Sequence, residues 1–186
     1  MPERSRGVTS VVSTVLLVAI VVVLSATLSV FALGVTDELQ DPGPYVSQSS
    51  GQLVVQEGSD GGIVRITHVA GDPVPVEETE IAIDATDTCG ERERLINLPE
   101  DPSNNAGRFA DSNVASGPIN ESIVSGQTGL DLGVLDSRTS NTLGAGSHLG
   151  FRLTGGECQL TAGDRIVVRV VHVPSGSVTI SQEFAV

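Results

Sequence analysis

The sequence predicts an α+β chain: a long N-terminal hydrophobic α-helix followed by an antiparallel β-sandwich or small β-barrel-like domain. Two observations predict it. Residues 7–36 contain no charged side chain. Beyond residue 44, short runs of β-branched residues alternate with clusters of Gly, Pro, Asp and Ser, the pattern of short strands joined by turns. At 186 residues the chain has room for one such helix and one globular domain, and not for two large soluble domains.

The helix comes first. Residues 15–24 (VLLVAIVVVL) are unbroken apolar sequence. As a helix, Val8 to Val35 is about 42 Å long, more than the roughly 30 Å hydrocarbon core of a bilayer. The segment is rich in Val, Ile and Thr, which lose side-chain freedom in a helix and weaken one in water. In lipid the balance reverses, because a helix pairs every backbone N–H and C=O within the segment. A removable secretory signal has an apolar region of about 7–15 residues and a small-residue cleavage site. This stretch is far longer, and Phe31-Ala32-Leu33 interrupts an A-x-A pattern. Glu3, Arg4 and Arg6 precede it, and Asp37, Glu38 and Asp41 follow, so the positive-inside tendency leaves Met1 cytoplasmic and the rest outside. Ser10 with Thr14, and Ser25 with Ser29, recur at helical spacing. Such positions either let neighbouring helices approach closely or are tolerated in a lone anchor.

Residues 37–44 (DELQDPGP) are polar and turn-rich, a junction between helix and domain. Strands are then expected at 45–48, 52–56, 62–68, 79–85, 149–153, 165–173 and 178–184, with residues 174–177 forming a hairpin turn. Residues 99–128 have little apolar periodicity and many Asn, Ser, Gly and Pro residues, and are expected to form an exposed loop. Within it, Asn120-Glu121-Ser122 is an N-x-S sequon, which makes Asn120 a candidate N-glycosylation site.

Charge narrows the partners. The chain has 23 acidic residues and 10 basic ones, all of the latter Arg. Residues 1–36 account for one acid and two arginines, which leaves 22 acids against 8 arginines, a net −14, on the remainder. Such a surface repels phosphate and anionic lipid, which argues against nucleic acid as a partner. An acidic, Lys-free chain suits molar salt, where the Debye length falls to about 3 Å and self-repulsion is screened; the composition is that of a halophilic protein. Cys89 and Cys158 either form a disulfide, as export permits, or are two separate buried thiols.

No constellation of catalytic residues stands out. His68, His148 and His172 are widely separated, without Cys or carboxylate at zinc spacing, and read as structural; His68 is expected to fix the Gly71-Asp72 turn. The acidic stretches Asp84, Asp87, Glu91, Glu93 and Asp72, Glu77, Glu78 lack the Gly and terminal Glu of a calcium loop and read as solvated surface. Gly144-Ala145-Gly146 and Gly155-Gly156 lack the Lys-Ser/Thr ending of a phosphate loop, and G-x-S-x-G does not occur. The expectation is a non-enzymatic protein with no metal site and no cofactor.

The N-terminus resembles a known family. Arg6-Gly7, followed by Val8-Thr9-Ser10-Val11-Val12 and the long apolar run ending in Phe31-Ala32-Leu33-Gly34, is similar to the class III signal of archaeal type IV pilins, those of halophilic archaea in particular. Val11 stands where that family often has Pro, and Ser13 where it often has Gly. Residues 66–74 (ITHVAGDPV) and Ala162-Gly163-Asp164-Arg165 resemble further segments of the same group. The resemblance implies a pilin architecture with a leader at 1–7 that a prepilin peptidase removes between Gly7 and Val8. It also implies a transmembrane and assembly helix at 8–36, a linker at 37–44 and an extracellular β-rich domain at 45–186. The implied partners are the membrane, other pilin subunits, and the pilus assembly platform with its ATPase; the implied role is a surface filament for adhesion or cell–cell contact. A different class of reading keeps the helix only as the anchor of a non-polymerising extracellular binding module, and a third removes it as the signal of a secreted enzyme or inhibitor.

Overall fold

The computed structural model describes residues 5–36, 42–56, 61–100, 108–126 and 130–186, with helix side chains described for 11–30. The chain divides into two compact units, Met1–Asp41 and Pro42–Val186.

The described residues of the first unit form one helix, α1 (Ser5–Thr36), 32 residues or about 48 Å long. No Pro or charged residue interrupts it after Arg6. Every described side chain from Val11 to Val30 is exposed. Residues 37–41 of the expected linker lie outside the described residues.

The second unit is built from nine strands among the described residues: β1 (Val46–Val55), β2 (Gly62–Gly71), β3 (Val74–Pro75), β4 (Thr79–Ala85), β5 (Glu91–Leu95), β6 (Thr142–Leu143), β7 (His148–Leu153), β8 (Arg165–His172) and β9 (Ser177–Ala185). All pairings are antiparallel. One sheet has the order β1-β2-β7, another β5-β4-β8-β9, and β3 pairs with β6. A single-turn helix, α2 (Thr86–Cys89), joins β4 to β5.

Period-two alternation explains the sheets. Thr79, Ile81, Ile83 and Ala85 of β4 are buried, as are Ile166, Val168, Val170 and His172 of β8, while the intervening residues face outward. Val64 and Ile66 of β2 with Leu149, Phe151 and Leu153 of β7 meet them in one shared core. The sheets also adjoin where β1 lies beside β9: the Gln182 side-chain amide donates to Ser49 Oγ at 2.7 Å.

Residues 45–48 and 52–56 were expected as separate strands and instead form β1, because Ser49-Ser50-Gly51 continues the pairing with His68, Thr67 and Ile66. Gly51 is required there by close approach: a Cβ on it would lie 2.7 Å from Phe184 Cε1. The segment expected as an exposed loop at 99–128 is also different. Phe109, Val114, Ile123 and Val124 are buried in the core, while residues 101–107 and 127–129 lie outside the described residues.

The backbone of this segment satisfies sheet edges. The Ala115 N–H donates to the Arg94 carbonyl of β5 at 3.0 Å, and the Ser125 N–H to the Arg152 carbonyl of β7 at 2.8 Å. Farther along, the Val134 N–H donates to the His148 carbonyl at 2.9 Å. Few apolar residues are needed because paired backbone supplies much of the contact.

His68 does not fix the 71–72 turn. Its ring is fully buried with neither nitrogen hydrogen-bonded to protein. Asp72 ties that turn instead, its carboxylate accepting from the Tyr45 N–H at 3.1 Å while its own N–H donates to the Tyr45 carbonyl at 2.9 Å.

Candidate functional site

The most demanding feature of the molecule is the surface of α1. Between Val11 and Val30 all faces are apolar, and thirteen Val, Leu and Ile side chains are exposed. At about 1.5–3 kcal/mol for each large apolar side chain transferred out of water, covering them is worth roughly 20 to 40 kcal/mol. That exceeds the whole stability of an ordinary domain. The 20-residue span Val11–Val30 is about 30 Å long, the thickness of a hydrocarbon core.

The hydroxyls within the span are compatible with that environment. Thr14 Oγ1 donates to the Val11 carbonyl (2.9 Å), Ser25 Oγ to Val21 (2.7 Å), Thr27 Oγ1 to Leu24 (2.9 Å) and Ser29 Oγ to Ser25 (2.9 Å). The hydroxyl protons of these four residues are therefore satisfied by the helix itself, so the desolvation cost of a bare donor in lipid is avoided. Arg6, Gly7 and Val8 fall in the helical backbone at the start of α1, and their side chains lie outside the described residues.

In the β unit, Cys89 and Cys158 are joined by a disulfide with a Cα–Cα distance of 5.3 Å. It ties α2, at the end of β4, to the connection between β7 and β8. Asn120 is exposed in a 3-10 turn, Ile119–Glu121. Ser122, the third residue of its sequon, is buried, and its hydroxyl donates to Glu93 at 2.8 Å.

Glu93 was expected at the solvated surface and is instead buried in β5. Its carboxylate accepts from the Arg94 N–H at 2.8 Å, from the Ser116 N–H at 3.3 Å, and from the hydroxyls of Ser116 and Ser122. Burial pushes its carboxyl up, but these hydrogen bonds more than offset that and hold it below the ordinary Glu range. The group fastens the middle segment to the sheet.

Elsewhere the charged groups pair on the surface. Arg65 and His148 both reach the Asp131 carboxylate, at 3.0 and 3.1 Å. His172 Nε2 lies 3.1 Å from Glu78. Among the described residues no group of three or more His, Cys, Asp and Glu side chains is placed to hold a metal ion. On the outer face of the four-stranded sheet, Arg92, Arg94 and Arg169 line a groove of about 550 Å³ together with Asp84, Glu93, Ala82 and Ser116. Sequence reasoning missed this feature, because nothing in one dimension brings residues 92–94 beside residue 169; Arg at alternate positions in ERER and again at 165 and 169, four apart on one face of a strand, was the available signal.

Comparison with known proteins bears on the N-terminal segment. Residues 6–47 match the family described as "Archaeal Type IV pilin, N-terminal". An uncharacterized protein of Archaeoglobus fulgidus is 31% identical over 78 residues, 42% of this chain and 52% of that protein. The chain thus spans about half the length of the curated relative that it matches.

Proposed function

We propose, from the match of residues 6–47 to the archaeal type IV pilin N-terminal family, that the chain is a pilin or pilin-like subunit whose helix serves first as a membrane anchor and then as an assembly spine. The observation that carries this reading is α1 itself, a charge-free rod apolar on every face over Val11–Val30. A membrane covers such a surface before assembly. A bundle of like helices covers it afterwards.

In this reading a prepilin peptidase removes residues 1–7 by cutting between Gly7 and Val8. The cut discards Glu3, Arg4 and Arg6, so the trimmed helix begins with a lone α-ammonium and leaves the bilayer at lower electrostatic cost. Residues 8–36 are the assembly helix, 37–44 a linker, and 45–186 a domain displayed outside the cell. An assembly platform and its ATPase supply the work of extraction. The displayed domain serves adhesion or cell–cell contact, its acid excess keeps it soluble in concentrated salt, and Asn120 is its glycan acceptor.

Mass spectrometry of the mature protein tests this directly, together with proteomics of sheared filaments. The expected result is a chain beginning at Val8 and present in filaments. A chain that keeps Met1, or one cut beyond Gly34, removes the processing argument. A chain processed at Val8 yet confined to detergent-soluble monomers favours the anchored binding module instead.

A further inference from the structure

Four of the eight arginines beyond residue 36 stand on one surface, the outer face of the β5-β4-β8-β9 sheet: Arg92, Arg94, Arg165 and Arg169. Three of them have carboxylate partners, Arg92 with Asp84 at 3.2 Å, Arg94 with Glu80 at 3.4 Å, and Arg165 with Glu183 at 3.1 Å. Arg169 is exposed and has no carboxylate within ion-pair distance among the described residues. The register explains why. Ala82 sits between Arg94 and Arg169 in one row across the sheet, and Ser181 lies on the far side. The small Ala82 side chain leaves the groove floor low between two guanidinium groups.

From this geometry we infer that the groove between Arg94 and Arg169 receives a carboxylate from a second copy of this chain. Charge complementarity identifies the occupant. Residues 37–186 carry a net −14, so two copies repel over most of their surfaces; of the groove's arginines, Arg92 pairs with Asp84 and Arg94 with Glu80, which leaves Arg169 as the groove cation open to a partner's acid. A carboxylate set above Ala82 meets the guanidinium of Arg169 on one side and shares Arg94 with Glu80 on the other, through the planar fork geometry that Arg offers to carboxylates. Enclosed between two domains, the pair is screened by salt far less than an exposed one. A contact between unlike patches on identical copies runs head to tail, and such contacts propagate into open filaments when the rotation does not close a ring. The inference rests on the pilin-like reading and adds a specific contact between displayed domains to the packing of helices.

The test uses the full-length chain in the cells that make it. Arg169→Glu and Arg169→Gln are compared with Arg108→Glu, an exposed arginine outside the groove that changes net charge equally. The readouts are the mature N-terminus, the membrane pool, and the yield of sheared filaments. Loss of a desolvated charge contact predicts a roughly tenfold or greater fall in filament yield for Arg169→Glu and a smaller fall for Arg169→Gln. Processing at Val8 and the membrane pool stay at the wild-type level, and Arg108→Glu assembles normally. Wild-type filament yield from Arg169→Glu overturns the groove contact and leaves the pilin reading standing. Equal losses in Arg169→Glu and Arg108→Glu overturn it as well, because net charge alone then accounts for the effect. A processed wild-type chain that forms no filaments removes both readings together.

Discussion

Reducing the Cys89–Cys158 bond should lower the stability of the β unit by an amount calculable from its position. The two cysteines are 69 residues apart, and closing a loop of that size removes unfolded-chain entropy worth roughly 4.4 kcal/mol at 25 °C. Unfolding entropy near the transition is about 2.1 cal/mol/K per residue, or about 0.3 kcal/mol/K over the roughly 145 residues of Pro42–Val186. The quotient is a fall in melting temperature of about 14 °C. The chain has no Trp and one Tyr, and α1 dominates any helical signal, so scanning calorimetry of the detergent-solubilised protein is the suitable assay. The oxidised protein, the reduced protein and Cys89→Ala/Cys158→Ala should be compared. The reduced protein keeps both sulfurs in place and isolates the loop effect. The double alanine variant should melt slightly lower still, because Cys158 is fully buried. A reduced protein melting within about 4 °C of the oxidised one would refute the loop-entropy reasoning.

Three other outcomes follow from the geometry. Phe109→Ala should cost about 3–5 kcal/mol in calorimetry, whereas a loop truly free in solvent would lose almost nothing. Glu93→Gln should cost about 2 kcal/mol by turning an amide N–H₂ toward donors that now meet a carboxylate. Hydrogen bonding holds Glu93 below its usual 4.5, so its stabilisation is present above about pH 4.5 and lost as pH falls through the lower folded value. Melting temperature measured from about pH 6 to pH 3 should therefore drop more steeply in the wild type than in Glu93→Gln. Ile20→Asp, at the middle of the Val11–Val30 span, should raise the cost of membrane insertion by about 3 kcal/mol, near a hundredfold in the insertion constant, while Ile20→Leu leaves it unchanged, as read in a translocon insertion assay of the isolated span.

Features with a strong one-dimensional period were legible. The charge-free run to Thr36 marked α1, and the alternation in residues 79–85 and 166–172 marked β4 and β8. What escaped was structure whose cause lies elsewhere in the chain. Glu91-Arg92-Glu93-Arg94 reads as surface, yet it is a strand because Ser116 and Ser122 satisfy the Glu93 carboxylate while Arg92 and Arg94 face outward beside Asp84 and Glu80. The middle segment escaped for a related reason. Phe109, Val114 and Ile123 are single anchors separated by turns, so no period exists to detect. The proposed processing junction rests on a contiguous motif, Arg6-Gly7-Val8, whereas the Arg94–Arg169 groove depended on register between strands about seventy residues apart.

The covered sheet margins bear on how many copies can be crowded together without misassembly. Residues near Val114 pair along one side of β5, those near Val124 and Gly133 pair along β7, and β1 lies beside β9 through the Ser49–Gln182 bond. A dense array of identical β-rich bodies is the condition under which amyloid-like strand exchange becomes dangerous. Here the margins at β5 and β7 are already engaged at these points within their own chain, so crowding along them is steered toward side-chain contacts, which come apart without unravelling the fold.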